Sequence, residues 1–230
     1  MLSLNCIALV IIPILFAIIH CIEFTSYFSR VAGLQTGAKV LSYSYQQMFF
    51  VGTRFFFIAL MPLIGFVVDG KVSLTTYVNM LHISMLLAGV AYFLAFVFRR
   101  KVITLIIFWL NKKNKDNIKT NENFFNENIK NILKYKKLIF LSSIVFCSYA
   151  LGVFIAFYYA LSFYEYRATI SQLSGVVNGL ATVLLTFIVE PLLAREIDRD
   201  NPDAVNMLYA MLLGRFLGVA ILTHIVIMVI

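Results

Sequence analysis

The sequence predicts an all-α fold, a polytopic bundle of about six transmembrane helices with both termini outside the cell. Three observations predict it. Hydrophobic residues make up 61% of the 230-residue chain and charged residues 13%, against roughly 25% charged in a soluble domain. The apolar residues fall in runs long enough to cross about 30 Å of hydrocarbon at helical rise. Lys and Arg are also unevenly shared between the connecting segments, fifteen of nineteen on one side of a six-helix arrangement and two on the other.

The chain reads as a single transmembrane domain. A first span covers about residues 4–28. It begins with neither Lys nor Arg and shows no small-residue cleavage site, so it is expected to stay in place rather than act as a cleaved signal. The second, about 40–68, contains Pro62, expected to kink its outer end. The third, about 75–98, stops at Arg99, Arg100 and Lys101. Residues 102–110 are apolar but too few to span, and are expected to run along the membrane surface as an interfacial helix. They sit within a basic, Asn- and Lys-rich loop, 99–137. The remaining spans are about 138–163, 169–190 and 205–230.

The segments after spans one, three and five carry the fifteen basic residues, which places that face in the cytoplasm. The net charge of +8 is therefore a topology signal concentrated in one loop, and no nucleic-acid partner is expected. Cys6, Cys21 and Cys147 all lie in apolar runs without ligand spacing, so neither a disulfide framework nor a metal site is expected, and no cofactor. Residues 1–110 and 138–230 show no internal repeat, although two three-helix halves would be inverted in the membrane.

Chemistry is sought in the polar residues of the spans. His20, Glu23, Tyr27 and Arg30 recur three, four and three residues apart, which places them on one helical face. Span two carries Arg54, with Gln47 two turns earlier. Span five carries Ser171, Ser174, Asn178, Thr182 and Thr186 on one face and ends at Glu190-Pro191. Span six carries Arg215. An intramembrane Arg is unfavourable by at least ~2.5–3.5 kcal/mol, so both arginines are expected to face the bundle interior or a wet cavity. Glu23 is the one acid at comparable depth. Two guanidinium groups against one carboxylate leave a surplus positive charge, suited to a phosphate or pyrophosphate.

Blander readings stand beside this one. Glu23 with Arg54 or Arg215 reads equally as a structural ion pair. The polar face of span five and the Gly214/Gly218 pair fit ordinary helix packing. His82 and His224 read as lone interfacial histidines, and His20 as a candidate proton carrier. No phosphate-binding glycine loop, His-Glu-x-x-His or nucleophile elbow is present. From the residues alone three classes stay open: a transporter of an anionic lipid, a membrane enzyme on lipid phosphates using His20 and Glu23, and a non-catalytic scaffold.

Two blocks of residues resemble a known family, the alternate lipid II flippases called Amj. The first is His20-Cys21-Ile22-Glu23, then Tyr27, Arg30, Gly33 and Thr36-Gly37, with Thr53-Arg54 and the stretch from Gly65 to Asp69 following. The second is Asn178-Gly179-Leu180-Ala181-Thr182 running into Val189-Glu190-Pro191, where the family has Val-Asp-Pro, together with Arg215. These blocks cover roughly 15–70 and 170–220; residues 75–165 are similar in hydropathy only. The resemblance implies a multi-pass protein of the bacterial cytoplasmic membrane. It would move lipid II, an undecaprenyl-pyrophosphate-linked peptidoglycan precursor, for cell-wall synthesis and cell shape, and would be no enzyme. The expected headgroup cavity is lined by His20, Glu23, Tyr27, Arg30, Arg54, Asn178, Thr182, Glu190 and Arg215. Six helices make a small cage for so large a headgroup, which admits a homodimer that no sequence pattern supports.

Overall fold

The computed structural model describes residues 4–113, 129–199 and 201–230. Within them the chain is helical throughout, without a strand: α1 (Leu4–Ser26), α2 (Phe28–Thr36), α3 (Lys39–Asp69), α4 (Leu74–Val97), α5 (Arg99–Lys113), a 3-10 segment (Ile129–Tyr135), α6 (Lys136–Ser162), α7 (Arg167–Leu184), α8 (Glu190–Asp198), α9 (Ala204–Leu217) and α10 (Thr223–Ile227). Six helical stretches are long and apolar enough to cross a membrane: Asn5–Thr36, Lys39–Asp69, Leu74–Val97, Ile132–Ser162, Tyr164–Asp198 and Ala204–Ile227. Part of the expected 99–137 loop, residues 114–128, lies outside the described residues.

Local chemistry sets the breaks. Thr25 Oγ1 donates to the Cys21 carbonyl at 2.8 Å and Ser26 Oγ to the Glu23 carbonyl at 2.7 Å. Hydroxyls that compete in this way for helical acceptors weaken the backbone ladder, and the helix turns at Tyr27 before resuming as α2. α2 ends on Gly37, whose φ of 74° a side chain would strain. Ser73 caps α4 by accepting from the Thr76 amide at 3.2 Å. α3 runs unbroken through Pro62.

Span five continues past residue 190, where the sequence suggested an end. Pro191 has no N–H to donate back along the helix, and the chain widens into a π turn at Leu185–Val189 before α8 carries it to Asp198. A second π turn, Gly218–Leu222, follows α9.

Burial ranks the helices. The hydrophobic window of span four is 72% buried and that of span five 22%, so α6 is the hub and α7 an outer wall. α6 packs on α7 and α9, and α1 on α3 and α4. The α6–α9 approach depends on Gly214 and Gly218. A Cβ at Gly214 would lie 2.7 Å from the Ser142 Cβ, and one at Gly218 would lie 3.0 Å from the Ser143 Cα. The small pair is thus a packing device, as its spacing suggests. α5 lays Ile103, Ile106, Ile107 and Leu110 against the protein and leaves Leu105, Phe108 and Trp109 exposed, with α2 as its main neighbour.

Candidate functional site: a cleft between spans two and five

The break at Tyr27 divides the polar stripe of span one. His20 and Glu23 enter the core, and Tyr27 and Arg30 turn toward span five.

The core group is sealed. Glu23 and Arg215 are each 0% exposed and form an ion pair. The Arg215 Nε donates to the Tyr92 hydroxyl at 2.9 Å, and that oxygen lies 2.5 Å from the His20 Nδ1. The Thr53 hydroxyl reaches Glu23 at 3.3 Å, and the Arg215 guanidinium lies 4.4 Å from the Phe146 ring centre. This constellation joins α1, α3, α4, α6 and α9. His20, Glu23 and Arg215, expected to line a cavity, are instead enclosed, because Tyr92 and Phe146 cover the guanidinium and the Phe16 ring packs at a tilt on the His20 ring, 4.2 Å between centres. Pairing of the charge is what makes such burial tolerable, and it leaves Arg215 Nη1 and His20 Nε2 as buried atoms without a hydrogen-bond partner.

The second group faces an open cleft of about 520 Å³, lined by Tyr27, Arg30, Gln46, Phe50, Thr182 and Glu190 among others. The Arg30 Nη2 donates to Glu190 Oε2 at 2.5 Å, and the Tyr27 hydroxyl donates to Glu190 Oε1 at 2.8 Å. The Arg30 Nε donates to Gln46 Oε1, and Tyr43 offers its ring face to the guanidinium at 4.7 Å. The Glu190 side chain keeps 18% exposure and the Arg30 side chain 4%, so the carboxylate of this pair, unlike that of the core pair, is in reach of solvent. The π turn sits directly before Glu190 and sets its direction.

Arg30 and Lys39 stand against Glu190 and Asp198 in the cleft lining. The surplus positive charge anticipated for a single cavity is therefore not in the cleft. It resides on Arg54, which is exposed midway along α3 rather than turned into the core. Among the described residues no carboxylate pairs with it; its guanidinium lies 5.3 and 5.4 Å from the Phe50 and Phe57 ring centres. Asn178 packs against Gly152 of α6, where its Oδ1 would lie 2.7 Å from an added Cβ. One turn on, the Thr182 hydroxyl donates to the Asn178 carbonyl at 2.7 Å.

Other residues fall outside both groups or were not read from the sequence. His82 and His224 are partners rather than lone residues, with parallel rings 5.0 Å apart and Nδ1 atoms 2.7 Å apart. Tyr92, Gln46 and Tyr149 carried no signal in a single sequence, since a Tyr or Gln in an apolar run has no spacing rule. Cys6, Cys21 and Cys147 form no disulfide, and among the described residues no group of three or more His, Cys, Asp or Glu is placed to hold a metal.

Fold and site together define a multi-pass helical membrane protein with a sealed ionic core and a polar cleft at one end. A family model, Amj, described as Alternate to MurJ, matches residues 99–229. The chain belongs to this Amj family. The matched segment contains Asn178, Thr182, Glu190 and Arg215; the His20–Arg54 block precedes it. No curated protein and no solved structure gives a match.

Proposed function

We propose that this protein is a lipid II flippase of the bacterial cytoplasmic membrane. The family, described as an alternate to MurJ, supplies the substrate. The open Arg30–Glu190 pair in the cleft between spans two and five is the observation that carries the reading.

The pyrophosphate enters the cleft from the cytoplasm while the polyprenyl tail stays in lipid. Arg30 is the anion receptor: a guanidinium offers paired donors matching paired phosphate oxygens. Glu190 occupies those donors in the resting state and is displaced by the stronger anion. Tyr27 then gains a phosphate oxygen as acceptor in place of Glu190. Release on the outer side lets Glu190 return, so lipid and carboxylate bias one two-state element, hinged at the π turn. The Glu23–Arg215 pair acts as the brace against which spans two and five move. The positive-inside bias supports a cytoplasmic position for the cleft mouth, the segments after spans one and five, and α5, with α5 lying at the lipid headgroups.

Complementation tests this in bacterial cells depleted of their main lipid II flippase, scoring lipid II exposed on the outer leaflet at matched protein level. Wild type should rescue, Arg30→Ala should not, and Arg30→Lys should rescue in part. An inserted, abundant wild-type protein that fails to rescue removes the lipid II assignment.

A further inference from the structure

The cleft ends one helical turn short of a second group of polar side chains, and that group has the unbalanced charge the cleft lacks. Gln46, Gln47 and Phe50 line the cleft from α3. Arg54 follows Phe50 by one turn on the same face and lies 5.3 Å from its ring centre. On the opposite wall Thr182 lines the cleft, and one turn further from its mouth is Asn178, whose Oδ1 is buried without a hydrogen-bond partner. The floor is α6. Gly152 there faces the Asn178 Oδ1, and one turn away is Tyr149, 5% exposed. The Tyr149 hydroxyl oxygen lies in hydrogen-bonding reach of the Arg54 guanidinium, short of good geometry, and within electrostatic reach of Glu23 and Arg215.

Each wall and the floor therefore carry a polar group beyond the cleft: Arg54 midway along α3, Asn178 against Gly152, and Tyr149 one turn from that glycine. Arg54 is the midpoint of the 31-residue α3. A mid-membrane cation that is exposed and has no carboxylate partner is strongly disfavoured unless an anion or water reaches it. The neighbouring Arg215 does not share this need, because Glu23 neutralises it.

We infer that Arg54, Tyr149 and Asn178 form a mid-membrane station for the phosphate of a lipid, which receives it from Arg30 along the face shared by spans two and five. The occupant is a lipid-borne phosphate, because the station is reached at the depth of acyl chains and its fixed charge is one guanidinium beside a hydroxyl donor. The Asn178 amide is a further donor once its side chain turns from Gly152. The inference rests on the flippase reading for its direction of travel, and assigns the two arginines different jobs. Arg30 governs capture at the cytoplasmic mouth; Arg54 governs passage through the membrane centre.

The full chain in proteoliposomes, given a fluorescent short-chain lipid II analogue, separates the two jobs. Arg54→Ala should lower the transbilayer rate at saturating lipid by about ten- to a hundredfold, the range of one lost charge-assisted bond, and leave the half-saturating lipid concentration within about threefold. Arg30→Ala should raise that concentration instead. Arg54→Lys should recover part of the rate, which a merely structural role in packing against Phe50 and Phe57 would not predict. Arg54→Gln serves where the alanine variant does not insert. An Arg54→Ala or Arg54→Gln protein that flips at the wild-type rate overturns the station and leaves the flippase reading intact. If wild type does not move the lipid II analogue, the flippase reading falls. Matched short-chain polyprenyl phosphate and phosphatidylglycerol probes then decide the station: Arg54-dependent movement of either supports it, and Arg54-independent behaviour of all three probes overturns it.

Discussion

Glu23→Ala is the most demanding perturbation of the core. Glu23 and Arg215 are both fully buried, and the carboxylate accepts from Arg215 and Thr53. Removing it leaves the guanidinium with the Tyr92 hydroxyl as its remaining hydrogen-bond partner and no counter-charge in contact. Breaking a buried pair from one side typically destabilises by about 3–5 kcal/mol, because the surviving charge stays desolvated. A double variant, Glu23→Leu with Arg215→Met, removes both charges and retains most of the volume. It should recover most of that loss, since a well-packed apolar pair is often as stable as a buried ionic one. Reversible unfolding in mixed micelles, or steric trapping in bicelles, would measure all of these variants on one scale. The argument fails if Glu23→Ala costs less than about 1 kcal/mol, or if the double variant loses the sum of the two single losses. Either result would mean that Arg215 finds water or another anion in the folded state, and that the core is not sealed.

Four further outcomes follow from the same geometry. Gly214→Leu and Gly218→Leu drive side chains into the α6 backbone at Ile139 and Ser143 and should each cost at least about 1–3 kcal/mol. Gly175→Ala and Gly179→Ala meet nothing within 4 Å and should be neutral or stabilising by up to about 1 kcal/mol in the same assay. Asp203 accepts from Lys134 Nζ at 3.0 Å and from the Tyr135 hydroxyl at 2.9 Å, which holds its carboxyl below the ordinary value of 3.8. A depressed carboxyl contributes stability above its unfolded-state value and loses it as pH falls through the folded one. The protection of the Ile129–Tyr135 amides, exchange being referred to the unfolded-chain rate at each pH, should therefore fall in that acidic window, and Asp203→Asn should abolish the dependence. Finally, His82→Ala and His224→Ala remove the same stacked contact, so their effects on stability should be strongly non-additive.

The six spans were legible because membrane insertion depends on length and hydropathy, which a single chain carries without reference to its neighbours. The helix end at residue 190 was misread because Pro191 punctuates most helices, whereas here a π turn absorbs the missing donor. Identity and depth picked out Glu23 and Arg215, but pairing depends on how α1 rotates against α9, and that rotation leaves no trace in spacing. Helical periodicity put Glu23 and Arg30 in one stripe; the hydroxyls of Thr25 and Ser26 interrupt it between them. Tyr92 and Tyr149 were invisible for a different reason. A tyrosine is as much at home in apolar packing as in a hydrogen-bond network, so its role is decided by the atom that meets its hydroxyl.

Among the described residues two Arg–Glu pairs of identical chemistry occur, and access to water separates what they can do. Around Arg215 the aromatic rings of Tyr92 and Phe146 leave no route for a competing anion. Ligand binding there would require an uncompensated carboxylate in the core, a cost no modest ligand offsets. Around Arg30 the carboxylate is partly hydrated and stands beside a 520 Å³ cleft, so a displaced Glu190 can turn to water and keep its charge at little cost. Exchange of one anion for another is therefore feasible at Arg30 and prohibitive at Arg215. Under the proposed function that asymmetry assigns one pair the part of a brace and the other that of a gate, and it predicts the order of sensitivity. Loss of Arg215 should reduce the amount of folded protein, and loss of Arg30 should reduce what each folded molecule transports.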